Sequence, residues 1–476
     1  MFQKITKKSE DSNKWYEEVV EKAKLAEHSP VKGCMTIRPY GYALWENIQA
    51  ILDREIKKMG VKNAYFPLFI PKSFIEKEKE HIEGFAPECV IATEGGGKKL
   101  EEPLVLRPTS ETVIYATFPK WIRSYRDLPL KINQWANIIR WEKRPRLFLR
   151  TIEFLWQEGH TVHATEKEAE KMAREALSLY HDFARNYLAI ETIQGQKSES
   201  EKFAGALRSY AIEGLMSDGK ALQMGTSHNL GQEFAKVFGI KYLDKDNKEQ
   251  LAWQTSWGVS TRLVGAIILA HGDDKGLILP PKIAPYQAVI VPIWRSSDEK
   301  KMLEEKIERL VGGLGKETRI KVEWQDNLTP GFKFNKWELK GAPLRIEIGP
   351  KDLEKNQVVF IRRDDEKKES IKWDQISNKL KTTLDDIQKN LLKKNQDFLQ
   401  NNTHTVDSYD QFKKILEEKS GFIKAGWCGS EACEEKVKSE TKATIRVIPF
   451  KQPKKLGKCI CCGKPAKHEV IFAKAY

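Results

Sequence analysis

The chain has 476 residues, too many for a single hydrophobic core and enough for roughly two to four domains. With 40% hydrophobic and 31% charged residues its composition is that of an ordinary globular protein, and a formal charge of +14 favours a polyanionic partner without naming it. No run of about 18 apolar residues occurs and the N-terminal MFQKITKKSEDSNKWYEE lacks an apolar signal core, which predicts neither a membrane span nor secretion and makes the cytoplasm the expected compartment.

Residues 11–27 suggest an amphipathic helix. A longer helix is expected from about Tyr40 to Met59, with Leu44, Ile48, Ile51, Leu52 and Ile56 on one stripe and Gly60 as its stop. A strand Asn63–Phe66 then ends at Pro67, which cannot donate to a ladder. The stretch GFAPECVIATEGGGK, 84–98, reads as a mobile loop, because consecutive glycines are costly to order. It has neither the preceding strand nor the following Lys-Ser or Lys-Thr helix of a P-loop. LVLRPTSET, 104–112, is a strand running into a helix. There Thr109, Ser110 and Thr112 could be capping hydroxyls and Glu111 a first-turn acid. Alternatively, Thr109 and Glu111 could satisfy the two donors of a desolvated secondary ammonium, and proline is the amino acid whose nitrogen fits that description.

IIRWEKRPRLFLRTIEFLWQEGH, 138–160, predicts an antiparallel hairpin. Ile139 and Trp141 would face the core, Arg140 and Glu142 the other side, and the return strand would set Arg150 and Phe154 on one face beside them. A ring to stack on a base, guanidinium forks for phosphate or carboxylate and a carboxylate for an amine or metal are the parts of a nucleotide-activating site.

Thr165 and Glu168 form a capping box opening a helix to about Tyr187. A strand Ile190–Gln194 follows, and then Lys220–Asn229, which places Gln223, Thr226 and His228 near a strand end. The run from Gly258 combines a turn, a strongly apolar helix and a strand; within it Arg262 is an obligate cation that needs an anionic or aromatic partner. Asp273-Asp274-Lys275-Gly276 reads as a hairpin turn rather than a metal site. From about Pro285, strands at Gln287–Ile293, Arg319–Trp324 and Val358–Arg362 with a helix at Ser297–Gly312 imply a small α/β domain with a mixed sheet. Residues 365–420 read as helices with a polar break near Asn401. Five of the seven cysteines lie between Cys428 and Cys462, and Cys428-x4-Cys433 with Cys459-x2-Cys462 suits a structural, four-thiolate Zn²⁺ site. Cys461 is then spare and His468 a lesser alternative ligand.

Arg140-Trp141-Glu142, a short loop, then Arg150 and Phe154 resemble motif 2 of the class II aminoacyl-tRNA synthetases. With RPTSET at 107–112 and WGVSTR at 257–262, the chain resembles the prolyl-tRNA synthetases over nearly its whole length, in the archaeal/eukaryotic-like form with a C-terminal zinc-binding extension. The resemblance implies a class II antiparallel sheet core with flanking helices (1–283; motif 1 near 44–67, motif 2 at 138–160, motif 3 at 258–283). A small α/β anticodon-binding domain (284–385) and a C-terminal α/β zinc domain (386–476) would follow. It implies a homodimer built on motif 1, and a ligase that activates L-proline with ATP and Mg²⁺ and transfers the prolyl group to tRNA(Pro).

In that reading Thr109, Glu111 and His228 seat proline, with Phe85 on a flap and Trp156, Glu158, Ser256 and Gly258 shaping the pocket. No acid–base role falls to His228. Arg140 grips the proline carboxylate and the α-phosphate, Glu142 helps hold Mg²⁺, Gln223 and Thr226 lie near the ATP, and Arg150 belongs to the same ATP set. Phe154 and Arg262 cover the two faces of the adenine. Glu338, Arg345 and Lys351 become candidates for reading guanine-rich anticodon bases, with a solvated charged face as the alternative. Gln325 departs from the arginine usual in relatives just before Asp326-Asn327. Only about a hundred residues separate motifs 2 and 3, leaving no room for the editing domain of bacterial-type relatives. In relatives with this extension the C-terminal tyrosine, here Tyr476, reaches toward the active site. A synthetase for another small amino acid and a non-catalytic tRNA-binding paralogue are the rivals; the presence of Arg140, Arg150 and Arg262 speaks against the second.

Overall fold

The computed structural model describes residues 4–77, 89–315 and 318–476. Its centre is an eleven-stranded sheet whose middle is antiparallel: Thr192–Gln196, Arg208–Leu215, Ala221–Gly231, Trp253–Ser260, Glu153–His163 and Leu130–Ile139 in spatial order. One face is covered by the helix Glu166–Asn186, opened by the expected Thr165/Glu168 capping box; it buries Ala169, Met172, Ala173, Ala176, Leu177, Tyr180 and Phe183 at helical spacing. The helix Pro39–Lys58 buries Leu44, Ile48, Leu52 and Ile56 as its stripe predicts. The helix Arg262–His271 is apolar and buried along nearly its whole length.

The sheet does not end with these six strands. Ile448 and Pro449 of the strand Thr444–Pro449 pair with Gln196 and Gly195, and the C-terminal strands His468–Ala473, Phe422–Trp427 and Thr403–Thr405 continue outward from there. The C-terminal extension is therefore joined to the central sheet by backbone hydrogen bonds. Between Glu153–His163 and Trp253–Ser260 the chain forms only that one long helix, strands of the same sheet and small satellite elements, so the gap holds no inserted domain.

The second unit is a five-stranded mixed sheet. Ile320–Val322, Ala288–Pro292 and Leu344–Ile348 run parallel, and Gln357–Arg362 and Lys368–Lys372 are antiparallel additions. This is the expected small α/β unit. The helix Ile376–Asn401 runs through residue 385, so the border expected there falls inside a continuous helix.

Several local expectations are corrected. The strand after Gly60 is only Lys62–Asn63. Beyond it the Phe66 N–H donates to the Gln134 side chain (2.5 Å) and the Phe66 carbonyl accepts from Arg107 (2.8 Å), so side chains replace the ladder before Pro67. The described part of 84–98 is a hairpin, with Val90–Gly95 paired to Lys98–Leu106. Gly96 and Gly97 both have positive φ, +59° and +75°, the geometry a two-residue turn demands, so the glycines close a hairpin. The motif 2 ladder stops at Ile139 opposite Glu153, and Trp141, expected in the core, is 56% exposed. Gly258 lies inside a strand, between Thr226 and Glu158, and not in a turn. Asp273–Gly276 is the expected turn; Asp273 also pairs with Arg363 of the α/β unit.

Candidate active site

Twelve of the expected site residues meet in one cleft of ≈ 270 Å³ on the central sheet: Thr109, Glu111, Arg140, Phe154, Trp156, Glu158, Gln223, Thr226, His228, Ser256, Gly258 and Arg262. Three strands supply most of them, because alternate residues of adjacent antiparallel strands share a face. Gln223 and Thr226 are three apart and should face opposite ways. A register shift leaves Met224 as an extra residue between Gln223, paired with Glu213, and Gly225, paired with Ile212, and this turns both side chains into the cleft.

At one end of the cleft Thr109 Oγ1 donates to Glu111, both buried. Their neighbour Glu158 accepts from Gln134 Nε2 (2.8 Å) and contacts His160 Nε2 (2.9 Å), which in turn meets the Tyr115 hydroxyl through Nδ1 (3.1 Å). Burial alone would raise the Glu158 carboxyl, but the hydrogen bond and charge of His160 hold it below its ordinary value. Trp156 Nε1 and Ser256 Oγ are buried without a partner among the described residues, so both are available to a ligand. His228 Nδ1 meets Ser209 Oγ (2.8 Å), and burial together with the Lys197 ammonium pushes it down to about 3, which keeps it neutral.

Arg140 is anchored by Nε donating to the Pro108 carbonyl (2.8 Å), and its guanidinium lies 5.7 Å from the rings of both Phe154 and Trp156. Arg262 donates through Nε to the Leu149 carbonyl (3.2 Å). Desolvation, then the charges of Arg150 and Arg140, push it down to about 10. Anions are thus favoured between Arg140 and Arg262.

Glu142 and Arg150 do not line this cleft. They pair with each other at 3.6 Å, with Arg150 in the loop and not on the Phe154 face, because the ladder has already ended. Arg150 lines a smaller adjoining cavity with Arg144, Arg146, Arg262 and Tyr476. Tyr476 packs there, its hydroxyl donating to Asp218 (2.7 Å) and its ring 5.5 Å from Arg146. Phe85 lies outside the described residues. His160, Lys197, Glu201, Lys202, Phe203 and Ser209 line the cleft unanticipated; of these only His160, two residues from Glu158 on one strand, carried a periodicity signal.

In the α/β unit, Arg345 donates to Glu338 (3.1 Å) and Glu347 (2.9 Å) and lies over the Phe334 ring at 4.5 Å. Glu338 and Arg345 line one cavity, whereas Lys351 does not. Gln325 accepts from Lys336 (2.8 Å). The four cysteines expected as ligands converge, with all Sγ atoms within 4.8 Å of one another and Cys428 Sγ at 3.6 Å from Cys433 and 3.7 Å from Cys462. Four thiolates about 2.3 Å from a tetrahedral metal would stand about 3.8 Å apart, so the cluster fits such an ion.

Family models match along the chain: a tRNA synthetase class II core domain (G, H, P, S and T) over 93–271, an anticodon binding domain over 287–383 and a prolyl-tRNA synthetase C-terminal domain over 409–476. The chain is 55% identical to the proline–tRNA ligase of Natranaerobius thermophilus over 99% of its length and 98% of the relative's. It is 52% identical to proline–tRNA ligase 2 of Bacillus cereus over 100% and 99%. The crystal structure of prolyl-tRNA synthetase from Cryptosporidium parvum complexed with halofuginone and AMPPNP is 41% identical and superimposes with a TM-score of 0.94 over 99% of both chains. The cleft that gathers Thr109, Glu111, Glu158, Arg140 and Arg262 lies in a chain that matches these models and relatives along nearly its whole length, and the chain is a member of the prolyl-tRNA synthetase family.

Proposed function

We propose that the protein is an ATP-dependent L-proline:tRNA ligase working through the cleft described above. The observation that carries this is the meeting of Thr109, Glu111, Glu158, Arg140 and Arg262 in one cavity. Thr109 and Glu111 receive the imino group of proline, His228 stays neutral beside the ring, and Trp156, Glu158, Ser256 and Gly258 bound the pocket. Arg140 draws the proline carboxylate and the α-phosphate together while Phe154 and Arg262 enclose the adenine, with Gln223 and Thr226 beside the nucleotide. The carboxylate oxygen attacks the α-phosphorus, pyrophosphate leaves, and the terminal ribose hydroxyl of tRNA(Pro) then displaces AMP from the prolyl-adenylate. No protein nucleophile is required; positioning and stabilisation of the phosphoryl charge carry the rate.

Glu142, a half-buried carboxylate paired with Arg150, would serve as an oxygen ligand for Mg²⁺, whose chemistry when bound is to offset phosphate charge. Cys428, Cys433, Cys459 and Cys462 would hold structural Zn²⁺. Arg150 serves the ATP phosphates from the loop, and Phe85 belongs to the proline-binding set. Glu338, Arg345 and Lys351 read the anticodon, two subunits associate through the motif 1 helix, and the protein works in the cytoplasm. The catalytic, anticodon-binding and zinc-binding units occupy about 1–283, 284–385 and 386–476, with the helix Ile376–Asn401 shared across the second border. Without an inserted domain, mischarged alanine is not cleared in cis.

ATP–pyrophosphate exchange with each of the twenty amino acids, with and without Arg140→Ala, tests the reading. Exchange is expected with proline and is abolished by the substitution. No exchange with any amino acid from folded, zinc-replete protein would leave a tRNA-binding paralogue.

A further inference from the structure

The segment Lys197–Phe203 walls the cleft through Lys197, Glu201, Lys202 and Phe203. Its inner contacts converge on the proposed proline pocket. The Lys197 N–H donates to the Ser209 carbonyl (2.8 Å) and the Phe203 N–H to Ser209 Oγ (2.9 Å). That same hydroxyl meets His228 Nδ1 at 2.8 Å, and the Phe203 ring centroid lies 4.8 Å from the imidazole.

Its outer contacts come from the C-terminal extension, more than 200 residues away in sequence. Ser198 Oγ, 1% exposed, donates to Glu434 Oε1 at 2.7 Å, and Glu434 is 5% exposed. Glu434 follows Cys433 on the helix Glu431–Thr441, so it is tied directly to the cysteine cluster. Lys197 Nζ donates to the Arg446 carbonyl of the extension (2.8 Å) and also to Glu213 of the central sheet (3.0 Å). A loop of polar residues held on both sides by buried hydrogen bonds has one low-energy position, and removing an outer bond lowers the population of that position.

We propose that Glu434 is a positioning residue for the proline pocket: through Ser198 and the Lys197–Phe203 segment, the C-terminal extension sets the placement of Ser209 and His228. This rests on the proline-ligase reading above. Proline binding then depends on the loop-competent fraction, whereas the ATP side, built on Arg140, Phe154 and Arg262, does not.

The test compares full-length wild type with Glu434→Ala, Glu434→Gln and Ser198→Ala in ATP–pyrophosphate exchange, with hydrogen–deuterium exchange of the 197–203 peptide measured alongside. Glu434→Ala is expected to raise the KM for proline about tenfold, the scale of one lost hydrogen bond to a charged group, with kcat and the KM for ATP nearly unchanged. Protection of 197–203 falls in parallel. Glu434→Gln keeps an acceptor for Ser198 Oγ and restores both. Ser198→Ala, which removes the donor from the other side, reproduces Glu434→Ala and decides the matter if that variant does not fold. An unchanged KM for proline in folded Glu434→Ala or Ser198→Ala overturns the proposal. So does an equal loss of proline and ATP binding in Ala and Gln variants alike, which would mark a purely structural role. Absence of amino-acid-dependent exchange in the wild type would instead defeat the ligase reading.

Discussion

Arg446→Met removes one arm of the charged junction between the C-terminal extension and the catalytic sheet. Glu213 is fully buried and receives Arg446 through three contacts of 2.9, 3.1 and 3.2 Å, with Lys197 also donating to it at 3.0 Å. Burial would raise the Glu213 carboxyl, but these two cations hold it below its ordinary value, so it is an anion in the folded protein. Methionine keeps the apolar stem of the arginine and deletes the charge. Breaking a buried pair typically costs about 3–5 kcal/mol; because Lys197 still neutralises Glu213, the lower end, about 3 kcal/mol, is expected. A multidomain chain has no single unfolding free energy, so the quantity to measure is the opening free energy of the Thr444–Pro449 amides by native-state hydrogen exchange. Adding Glu213→Gln to Arg446→Met should cost much less than the sum of the single changes, because the arginine then leaves no unpaired anion. Additivity within about 0.5 kcal/mol would refute the pairing as the source of the junction's stability.

Acid should weaken the fold through His163 and His271, both buried and both pushed down to about 4, chiefly by desolvation. Unfolded histidine titrates near 6.5, so the unfolded chain binds more protons below that pH; the stabilisation is present above about 6.5 and lost as pH falls toward 4, at up to about 2.7 kcal/mol per pH unit for the two together. The opening free energy of the Glu153–His163 amides, followed by native-state hydrogen exchange as a function of pH and repeated with His163→Asn, should show a shallower acid limb in the variant. Gly258→Ala places a Cβ 2.8 Å from the Gln157 carbonyl, so the strand must shift at the cleft floor; the KM for proline should rise, and an unaltered KM would argue against Gly258 as a pocket residue. Metal analysis of purified protein should find about one zinc per chain, and Cys433→Ser should lose it together with protection of the strand His468–Ala473; full protection without metal would show that the cluster does not organise the extension.

Residue type and short-range spacing determined much of this protein in advance. The Thr165/Glu168 box opens its helix and the two cysteine pairs announce their cluster, because each is a relation within a few residues. The motif arginines Arg140 and Arg262 were legible for the same reason, and the tertiary structure brings them to one cleft. What only the tertiary structure decided depends on register and on contacts distant in sequence. A one-residue bulge at Met224 aims both Gln223 and Thr226 inward, and the end of the ladder at Ile139 takes Arg150 away from the Phe154 face. Arg345 proves to be engaged by Glu338 and Glu347. Ser198 meets Glu434, and Glu213 meets Arg446, across gaps of 236 and 233 residues. No local pattern encodes such partners, since a serine or glutamate destined for a buried bond looks in sequence like one destined for water, and only the closing of the shared sheet settles which it becomes.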